Sequence, residues 1–322
     1  MYFLIQTSKT VLWLFFVADS VNDTKTKPFI ALAISIFSVS FAAIFIVSVP
    51  NVHPLVISLY RLIFTILFLI PIALIKGGIF SELRCLKKRD WAMMILIGFI
   101  LAAHFACWIS SLKMTSVASS TILVTAHPVL VAPIALYFFK EKLSKINVIG
   151  ISFSLIGAII LVGGNYGFGG GLDTLEGNIL AILGGAAAGL YILGGRSIRC
   201  RNISVISYAL PVYSIAAATL FCVCLTVGVD VTQISFSEMQ IIVVMAFVAG
   251  ILGHTLYNWS LGFIRASVAS VVLLLEPIGS SILAYILPWI NQTPSIYTLG
   301  GGAVILFGVY LTARNSKDPD VI

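Results

Sequence analysis

Long apolar stretches alternate with short polar segments along nearly the whole chain. The apolar stretches extend over about 18 to 24 residues, and an α-helix needs ~20 residues to cross a hydrocarbon core of ~30 Å. They lack the apolar–polar alternation that strands of a transmembrane barrel show. The pattern therefore predicts an all-α integral membrane protein with ten transmembrane helices. The predicted spans are 28–50, 54–75, 91–112, 117–139, 146–163, 178–195, 204–227, 239–261, 267–288 and 296–312.

The composition supports a membrane location, and the charges indicate an orientation. Of the 322 residues, 60% are hydrophobic and 10% are charged, whereas soluble domains carry roughly 25% charged residues. All but two of the 19 lysines and arginines fall in segments on one predicted side of the membrane; the exceptions are Lys113 and Arg61. Because basic loops stay in the cytoplasm, we expect a multi-pass plasma-membrane protein with both termini inside.

The net charge of +7 is thus a topology signal. No basic patch interleaved with aromatic residues is left to bind nucleic acid, so the expected partners are the lipid bilayer and a small-molecule substrate. The five cysteines form no CxxC motif and no Cys/His cluster with the spacing of metal ligands. We expect neither a cofactor nor a metal site.

The two terminal segments lie outside the predicted spans. Residues 1–27 contain two apolar pieces, MYFLI and VLWLFFVA, separated by QTSKT, and each piece is too short to span. Two interpretations stay open for them: a cytoplasmic or interfacial segment, and an over-extended start codon. Residues 316–322 are expected to form a cytoplasmic tail.

The chain contains an internal repeat. The sequence SVAS occurs at 116–119 and again at 267–270, which is 151 residues later. The same offset relates Trp108 to Trp259, Gly150 to Gly301 and Gly157 to Gly308. The repeats are predicted to cover 28–164 and 178–315, joined by an external glycine-rich linker at 165–177. The linker region has no lysine and matches no phosphate-binding loop.

Each repeat holds five predicted spans, so the second repeat must enter the membrane upside down. The loop charges agree, because KEKLSK at 140–145 is basic whereas its counterpart WINQTPS at 289–295 is uncharged. Inverted repeats are typical of secondary transporters, in which substrate and ion sites lie near the midplane at the repeat interface. The sequence therefore predicts two inverted five-helix repeats and a transport function.

Several motifs resemble the EamA-type branch of the drug/metabolite transporter superfamily. They are HPLVISLYR with Arg61 in the second span, TSVASS before the fourth span, EKLS at Glu141–Ser144, and the glycines Gly150 and Gly157 of the fifth span. The resemblance implies a ten-helix basket whose central cavity moves a small polar metabolite by alternating access, often outward. One departure is that the ninth span ends in NQTPS, with no acidic counterpart of Glu141. The family carries many kinds of metabolite, so the resemblance names no substrate.

Two titratable residues are expected near the middle of the membrane. Glu276 precedes Pro277 in the ninth span, and His127, also followed by proline, is its counterpart in the fourth. An ionisable residue inside a membrane is costly and marks a functional site by default. Glu276 is interpreted as a proton-coupling site, a counter-ion for a cationic substrate, or a protonated strut between helices. His127 is interpreted as its basic partner or as a neutral packing residue.

Three further positions complete the predicted site. His104 and Trp108, four residues apart, share a face of the third span, and His254 and Asn258 do the same on the eighth. They are expected to form opposite walls of a cavity, with packing as the alternative for the tryptophan. Arg61 could reach towards the surface, pair with an acid, or attract a carboxylate or phosphate.

The function hypotheses follow from these residues. A secondary transporter of an amino acid, an amine or a similar solute, with proton-coupled export, agrees with the repeat and with the midplane pair. A lipid-carrier translocase or a channel on the same fold is the alternative. A membrane-embedded enzyme is least supported, because every aspartate falls outside the spans and no HExxH motif exists. The glycine-rich run GGAAAG at 184–189 is predicted to be a close-packing surface.

Overall fold

The computed structural model describes residues 27–127, 129, 144–167, 173–201, 203–264, 269 and 272–314. Within them, seven helices are long and apolar enough to cross a membrane. These are Lys27–Val47, Pro54–Lys76, Lys88–Ser111, Lys145–Asn165, Leu175–Arg199, Val205–Val227 and Phe236–Ser260, and two shorter apolar helices are Leu275–Ile286 and Ile296–Leu311. The predicted all-α class with several membrane-length helices is confirmed. The segment 1–26, most of the second half of the predicted fourth span, and 315–322 lie outside the described residues.

The regular elements are numbered here in chain order. They are α1 (Lys27–Ser40), α2 (Ala42–Val47), α3 (Pro54–Lys76), α4 (Ile79–Cys85), α5 (Lys88–Ser111), α6 (Val117–Thr125), α7 (Lys145–Gly167), α8 (Leu175–Arg199), α9 (Val205–Val227), α10 (Phe236–Met245), π1 (Ala246–Thr255), α11 (Leu256–Ser260), α12 (Leu275–Ile286) and α13 (Ile296–Arg314). Helices α1 and α2 together form the first span, and α10, π1 and α11 together form the eighth predicted span.

Several helices extend beyond the apolar stretch that predicted them. Helix α5 begins at Lys88 rather than 91, because Asp90 in its first turn accepts a hydrogen bond from the backbone N–H of Lys87, at 3.2 Å. Helix α8 begins at Leu175, where the Thr174 hydroxyl accepts from Gly177 N at 3.0 Å. Side-chain caps of this kind satisfy the free N–H groups of a first turn. Polar capping residues lie outside the apolar stretches that predict a span. They thus determine where these helices begin.

Two helices are interrupted near the middle of the bundle. Helix α6 ends at Thr125, directly before Ala126 and His127. Helix α12 begins only at Leu275, so that Pro277 lies in its first turn, where the missing N–H of proline breaks no intrahelical hydrogen bond. The two interruptions occur at the histidine–proline and glutamate–proline pairs that the sequence relates to each other. Broken helices of this kind place backbone and side-chain polar groups at membrane depth.

The π-helical segment π1 is a second irregularity, and its carbonyl groups are used by neighbouring helices. The Thr255 hydroxyl donates to Gly250 O five residues earlier, at 2.8 Å. Ser35 on α1 donates to Gly253 O at 3.0 Å, and Thr65 on α3 donates to the carbonyl at the start of π1 at 3.3 Å. Wide helical turns are common at functional sites, and this one carries His254.

Small residues bring the helices into close contact. A Cβ added to Gly184 would lie 3.1 Å from Trp108 N, and one added to Gly185 would lie 2.7 Å from Val124 O. The run at 184–189 therefore packs α8 directly on α5 and α6, as its composition predicted. Helix α7 crosses α13 in the same way, and the Ser154 hydroxyl donates across this crossing to Ile305 O at 3.2 Å.

The two ends of the bundle have different polar contacts. We call the end formed by 48–53, 112–116, 173–174 and 287–295 the linker end, and the end formed by 77–87 and 200–204 the basic end. At the basic end, Arg201 pairs with Asp90 at 2.5 Å, and Glu82 on α4 accepts from Ser204 N and Ser207 Oγ at 2.5 and 2.7 Å. Partial burial raises the pKa of Glu82, but these hydrogen bonds outweigh it and lower the pKa below its usual value. The short helix α4 is thereby fixed to the start of α9.

Candidate functional site

A buried cavity lies where α1, α5, α6, α8, π1 and α12 converge. Its volume is about 60 Å³, enough for several water molecules. Apolar side chains such as Val39 and Leu273 form part of its wall. The polar and aromatic residues that line it are His104, Trp108, Thr125, His127, Tyr191, His254, Tyr257 and Glu276. Five of the seven residues proposed from the sequence thus meet in one cavity, and the other two, Asn258 and Arg61, lie behind its wall.

Glu276 and His127 enter the cavity at the same depth. Glu276 lies ten residues before the end of α12, and His127 lies ten residues after the start of α6. At 1.5 Å per residue both are about 15 Å from the linker end of their helices, which is half of a ~30 Å hydrocarbon core. The two side chains are only 8% and 4% exposed. The acid and the base therefore share one buried compartment.

His127 lines the cavity and has one ring nitrogen without a partner among the described residues. Its Nδ1 lies 3.4 Å from Val124 O, and its Nε2 is buried with no hydrogen-bond partner among the described residues. A buried polar atom without a partner costs free energy unless something binds it. Nε2 is thus a hydrogen-bonding atom of a lining residue that the described residues leave unsatisfied.

The wall formed by α5 is a stack of aromatic rings. His104 and Trp108 lie parallel, with ring centroids 5.8 Å apart and an interplanar angle of 5°. The His104 Nδ1 lies 2.8 Å from Gly184 O. Because a carbonyl only accepts, this nitrogen carries the ring hydrogen and donates a hydrogen bond to it. Across the cavity, His254 lies 6.4 Å from the His104 ring. His104 and Trp108 on α5 therefore face His254 on π1 across the cavity.

Asn258 supports the cavity from behind and does not line it. Its Nδ2 donates to Tyr191 Oη at 2.6 Å and to His254 O at 2.8 Å. It is fully buried and fixes two residues that do face the cavity. The sequence had placed Asn258 in the wall, because it shares a helix face with His254. The wider turns of π1 change the direction of the side chains that follow.

Two tyrosines of the cavity were missed by the sequence argument. Tyr191 on α8 and Tyr257 on α11 both line it, and the Tyr257 hydroxyl has no hydrogen-bond partner among the residues described. A signal for Tyr191 was present, since it lies seven residues after Gly184 and so on the same face of α8. Because Gly184 packs against Trp108, that face points to the cavity.

Arg61 lies next to the cavity, deep inside the bundle. It is seven residues into α3, about 10 Å from the linker end, and only 1% exposed. Its guanidinium carbon is 4.3 Å from the centre of the Phe105 ring and 5.8 Å from that of Trp108. The interpretation that Arg61 extends to the membrane surface is therefore wrong. Aromatic faces hold the cation in place.

The comparisons with known proteins place this site in a family. A family model described as the EamA-like transporter family matches residues 26–163 and 175–314. The chain belongs to this family. The resemblance drawn from its motifs is thus confirmed, and the protein is a multi-pass membrane protein of a transporter family.

The relatives of this EamA-like protein carry general names. One, named "Uncharacterized transporter YyaM" from Bacillus subtilis (strain 168), is 25% identical over 237 residues, covering 70% of this chain and 74% of that protein. Another, named "Uncharacterized transporter" from Archaeoglobus fulgidus, is 24% identical over 301 residues, covering 90% and 98%. A solved protein, titled "Crystal structure of protein", superposes with a TM-score of 0.63 and 19% identity over 91% of this chain and 100% of that one. At this identity the last likeness concerns the fold alone.

A polar cluster lies at the linker end of this EamA-like protein. Asp173 of the linker accepts hydrogen bonds from Thr115 Oγ1 and Ser116 N, each at 2.6 Å, and from Asn165 Nδ2 at 2.5 Å. It also accepts one from the Ser119 hydroxyl. The carboxylate lies at the start of α6, where the helix dipole favours a negative charge. Asp173 therefore joins the linker, the start of α6 and the end of α7.

We expect Asp173→Asn to destabilise the protein by about 2 kcal/mol, since hydrogen bonds to a charged group are the strong ones. The amide keeps the shape of the side chain, but in either orientation its NH2 group, a donor, takes the place of an oxygen that accepts from two donors. Thermal unfolding in detergent measures the effect. Asp230→Asn, at an exposed loop position bonded to Thr232, is the matched control and is expected to stay near wild type. An unchanged unfolding midpoint for Asp173→Asn would contradict a stabilising role of the cluster.

Proposed function

We propose that the protein is a secondary active transporter that moves a small polar metabolite, such as an amino acid or an amine, across the cytoplasmic membrane by alternating access. The observation that carries the proposal is the mid-depth cavity that brings Glu276 together with three histidines. Polar groups at this depth are costly and mark ion and substrate pathways. In this proposal Glu276 exchanges a proton or holds a cationic group, and the solute is exported.

An inverted repeat of ten spans is part of the proposal, and reciprocal contacts support it. A Cβ added to Gly157 would lie 2.7 Å from Gly301 O, and one added to Gly308 would lie 2.5 Å from Gly150 O. Because an offset of 151 residues relates Gly150 to Gly301 and Gly157 to Gly308, each contact is the image of the other. Such an exchange of roles is the expected result of a pseudo-two-fold axis through the α7–α13 crossing.

The packing of the other helices follows the same exchange. In the proposed repeat, α1, α3 and α5 correspond to α8, α9 and π1. The contacts of α1 and α3 with π1 therefore have their counterparts in the contacts of α8 and α9 with α5. Likewise α12 packs on α1 as α6 packs on α8. We therefore propose the repeats 28–164 and 178–315, joined by the linker 165–177. Of the fourth span, only the part up to residue 129 belongs to the described chain.

The orientation is also a proposal, and it rests on the charges. The basic end carries Lys87 and Arg201 and directly follows Lys76, and we place it in the cytoplasm of a plasma-membrane protein. Both termini then lie inside, and the linker end faces outward. At that end Lys113 donates to Val49 O at 2.6 Å, and burial lowers its pKa to about 8. Lys113 thus connects two loops of the linker end.

Flux measurements on reconstituted wild-type protein test this function. Proteoliposomes with a trapped pH dye are offered a panel of amino acids, amines and nucleosides. We expect at least one solute to move saturably and to change the internal pH. A conductance that does not saturate would identify a channel, the alternative on the same fold. Lipid transfer without solute flux would identify a lipid-carrier translocase, and either result would overturn the proposal.

A further inference from the structure

Arg61 is a buried cation that forms no contact ion pair within the described part of the chain. Its terminal nitrogens, Nη1 and Nη2, are fully buried and have no hydrogen-bond partner there. A guanidinium presents five N–H donors in a fixed fork, which suits a carboxylate. A charged group in a membrane interior is tolerated when it faces a partner or a cavity. A residue in this condition requires an anion that the protein does not supply by direct contact.

The described residues around Arg61 hold its side chain in place but accept no hydrogen bond from its terminal nitrogens. Phe105 and Trp108 offer ring faces, which attract a cation but accept no directed hydrogen bond. The nearby Thr65 hydroxyl donates to two backbone carbonyls, Arg61 O at 2.7 Å and Ala246 O at 3.3 Å. The guanidinium is therefore oriented in advance, while its Nη1 and Nη2 make no hydrogen bond within the described residues.

The guanidinium borders a small second cavity next to the main one. This second cavity is lined by Arg61, Phe105, Tyr213 and His254. His254 also lines the main cavity, and so does Trp108, whose ring centre is 5.8 Å from the Arg61 guanidinium carbon. Only one layer of side chains thus separates Arg61 from the space in which a solute would lie.

The opposite charge lies on another side of the same space. Glu276 lines the main cavity and interacts electrostatically with Arg61, but among the described residues the two do not approach within 4.0 Å as an ion pair. The other titratable groups that interact with Arg61 are Tyr191, Tyr213, His104 and His254. One acid on α12 thus lies in the cavity wall and one fixed cation on α3 lies behind the wall, each without a direct ionic partner in this part of the chain.

We propose that Arg61 binds the carboxylate of the transported solute while Glu276 faces its ammonium group, so that the substrate is a zwitterionic α-amino acid. A zwitterion neutralises both charges at once, whereas an amine leaves Arg61 without a partner. A phosphate carries more negative charge than one arginine neutralises and meets the Glu276 carboxylate as well. This inference rests on the proposed transport function and names its substrate class.

Binding to the purified full-length protein in detergent tests the inference without requiring transport. The probes are the twenty amino acids, each compared with its own α-amide, which keeps the ammonium group and the side chain but removes the carboxylate charge. Trp108 lines the cavity, so quenching of tryptophan fluorescence reports binding, and thermal stabilisation gives a second readout. We expect at least one amino acid to bind about 10-fold or more tightly than its amide, the scale of a lost charged hydrogen bond.

Two variants locate the effect. Arg61→Gln is expected to bind an amino acid and its amide equally, because the charge that distinguishes them is gone. Arg84→Gln removes an exposed cation of the short helix α4 and is expected to keep the wild-type ratio. The wild-type comparison decides the matter even if Arg61→Gln does not fold, since it depends only on the probes.

The outcomes separate this inference from the transport function. Equal binding of every amino acid and its amide, no amino acid binding at all, or equal binding by the matching carboxylic acid without an ammonium group would overturn it. If an amino acid binds selectively through its carboxylate but is not moved across proteoliposomes, only the transport proposal fails. If a solute without a carboxylate is transported and no amino acid binds, the transport proposal stands and this inference fails.

Discussion

Glu276→Gln is expected to fold and to lose proton movement linked to transport. Glutamine has nearly the same shape as glutamic acid but cannot release a proton, and it costs less to bury than a carboxylate. We expect the solute-dependent pH change in proteoliposomes to fall by about 100-fold, the scale of losing a positioned proton-transfer group. The matching measurement is solute counterflow, which requires no net proton movement and reports whether the binding site is intact.

The chain offers a matched control for this variant. Glu238 is at the exposed start of α10, where it accepts a hydrogen bond from Ser235 in a capping box. Glu238→Gln is expected to leave proton coupling unchanged, because the residue does not face the cavity. If Glu276→Gln also keeps full coupling, Glu276 is a protonated strut between helices. The carrier of the proton must then be sought among the histidines.

The second large effect concerns the crossing of α7 and α13. Gly301→Leu is expected to destabilise the protein by about 3 kcal/mol, the upper range for overpacking. The reason is that its Cβ would lie 2.7 Å from both Gly157 O and Leu161 N. Backbone atoms cannot turn aside as a flexible side chain can, so the two helices must separate. Thermal unfolding in detergent, with yield of folded protein as a second readout, measures the loss.

Gly300→Leu is the control, one residue away on the same helix. Nothing lies within 4 Å of a Cβ added to Gly300, which is exposed, so the same added volume enters open space. We expect this variant to stay within about 0.5 kcal/mol of wild type, as surface substitutions usually do. Equal losses for the two variants would show that α13 tolerates leucine poorly for a reason other than contact with α7.

These glycines also show which part of a helix contact can be predicted from one sequence. The offset of 151 residues relates Gly150 to Gly301 and Gly157 to Gly308 from letters alone. The offset does not show whether Gly157 contacts Gly301 or Gly308, its counterpart in the other repeat. That depends on where the two helices cross. The crossing point is set by which small residues allow the closest approach, and this is a property of the pair of helices.

The sequence by itself determined the helical class, most of the spans, the family and the residues of greatest chemical interest. The reason is that a bilayer leaves a polypeptide few choices: every backbone polar group must bond within a helix, and the apolar length must match the hydrocarbon. A titratable residue such as Glu276 or His127 then stands out within an apolar run, and its depth follows from a count of residues.

Only the tertiary structure decided which side chains meet. It turned Asn258 away from the cavity through the wide turns of π1, held Arg61 beneath Phe105, and brought Tyr191 into the wall. Each of these outcomes depends on a contact between helices distant in sequence, such as the hydroxyls of α1 and α3 that bond to carbonyls of π1. Local hydropathy determines that a helix forms. The direction of each polar side chain is fixed by the neighbours against which that helix packs.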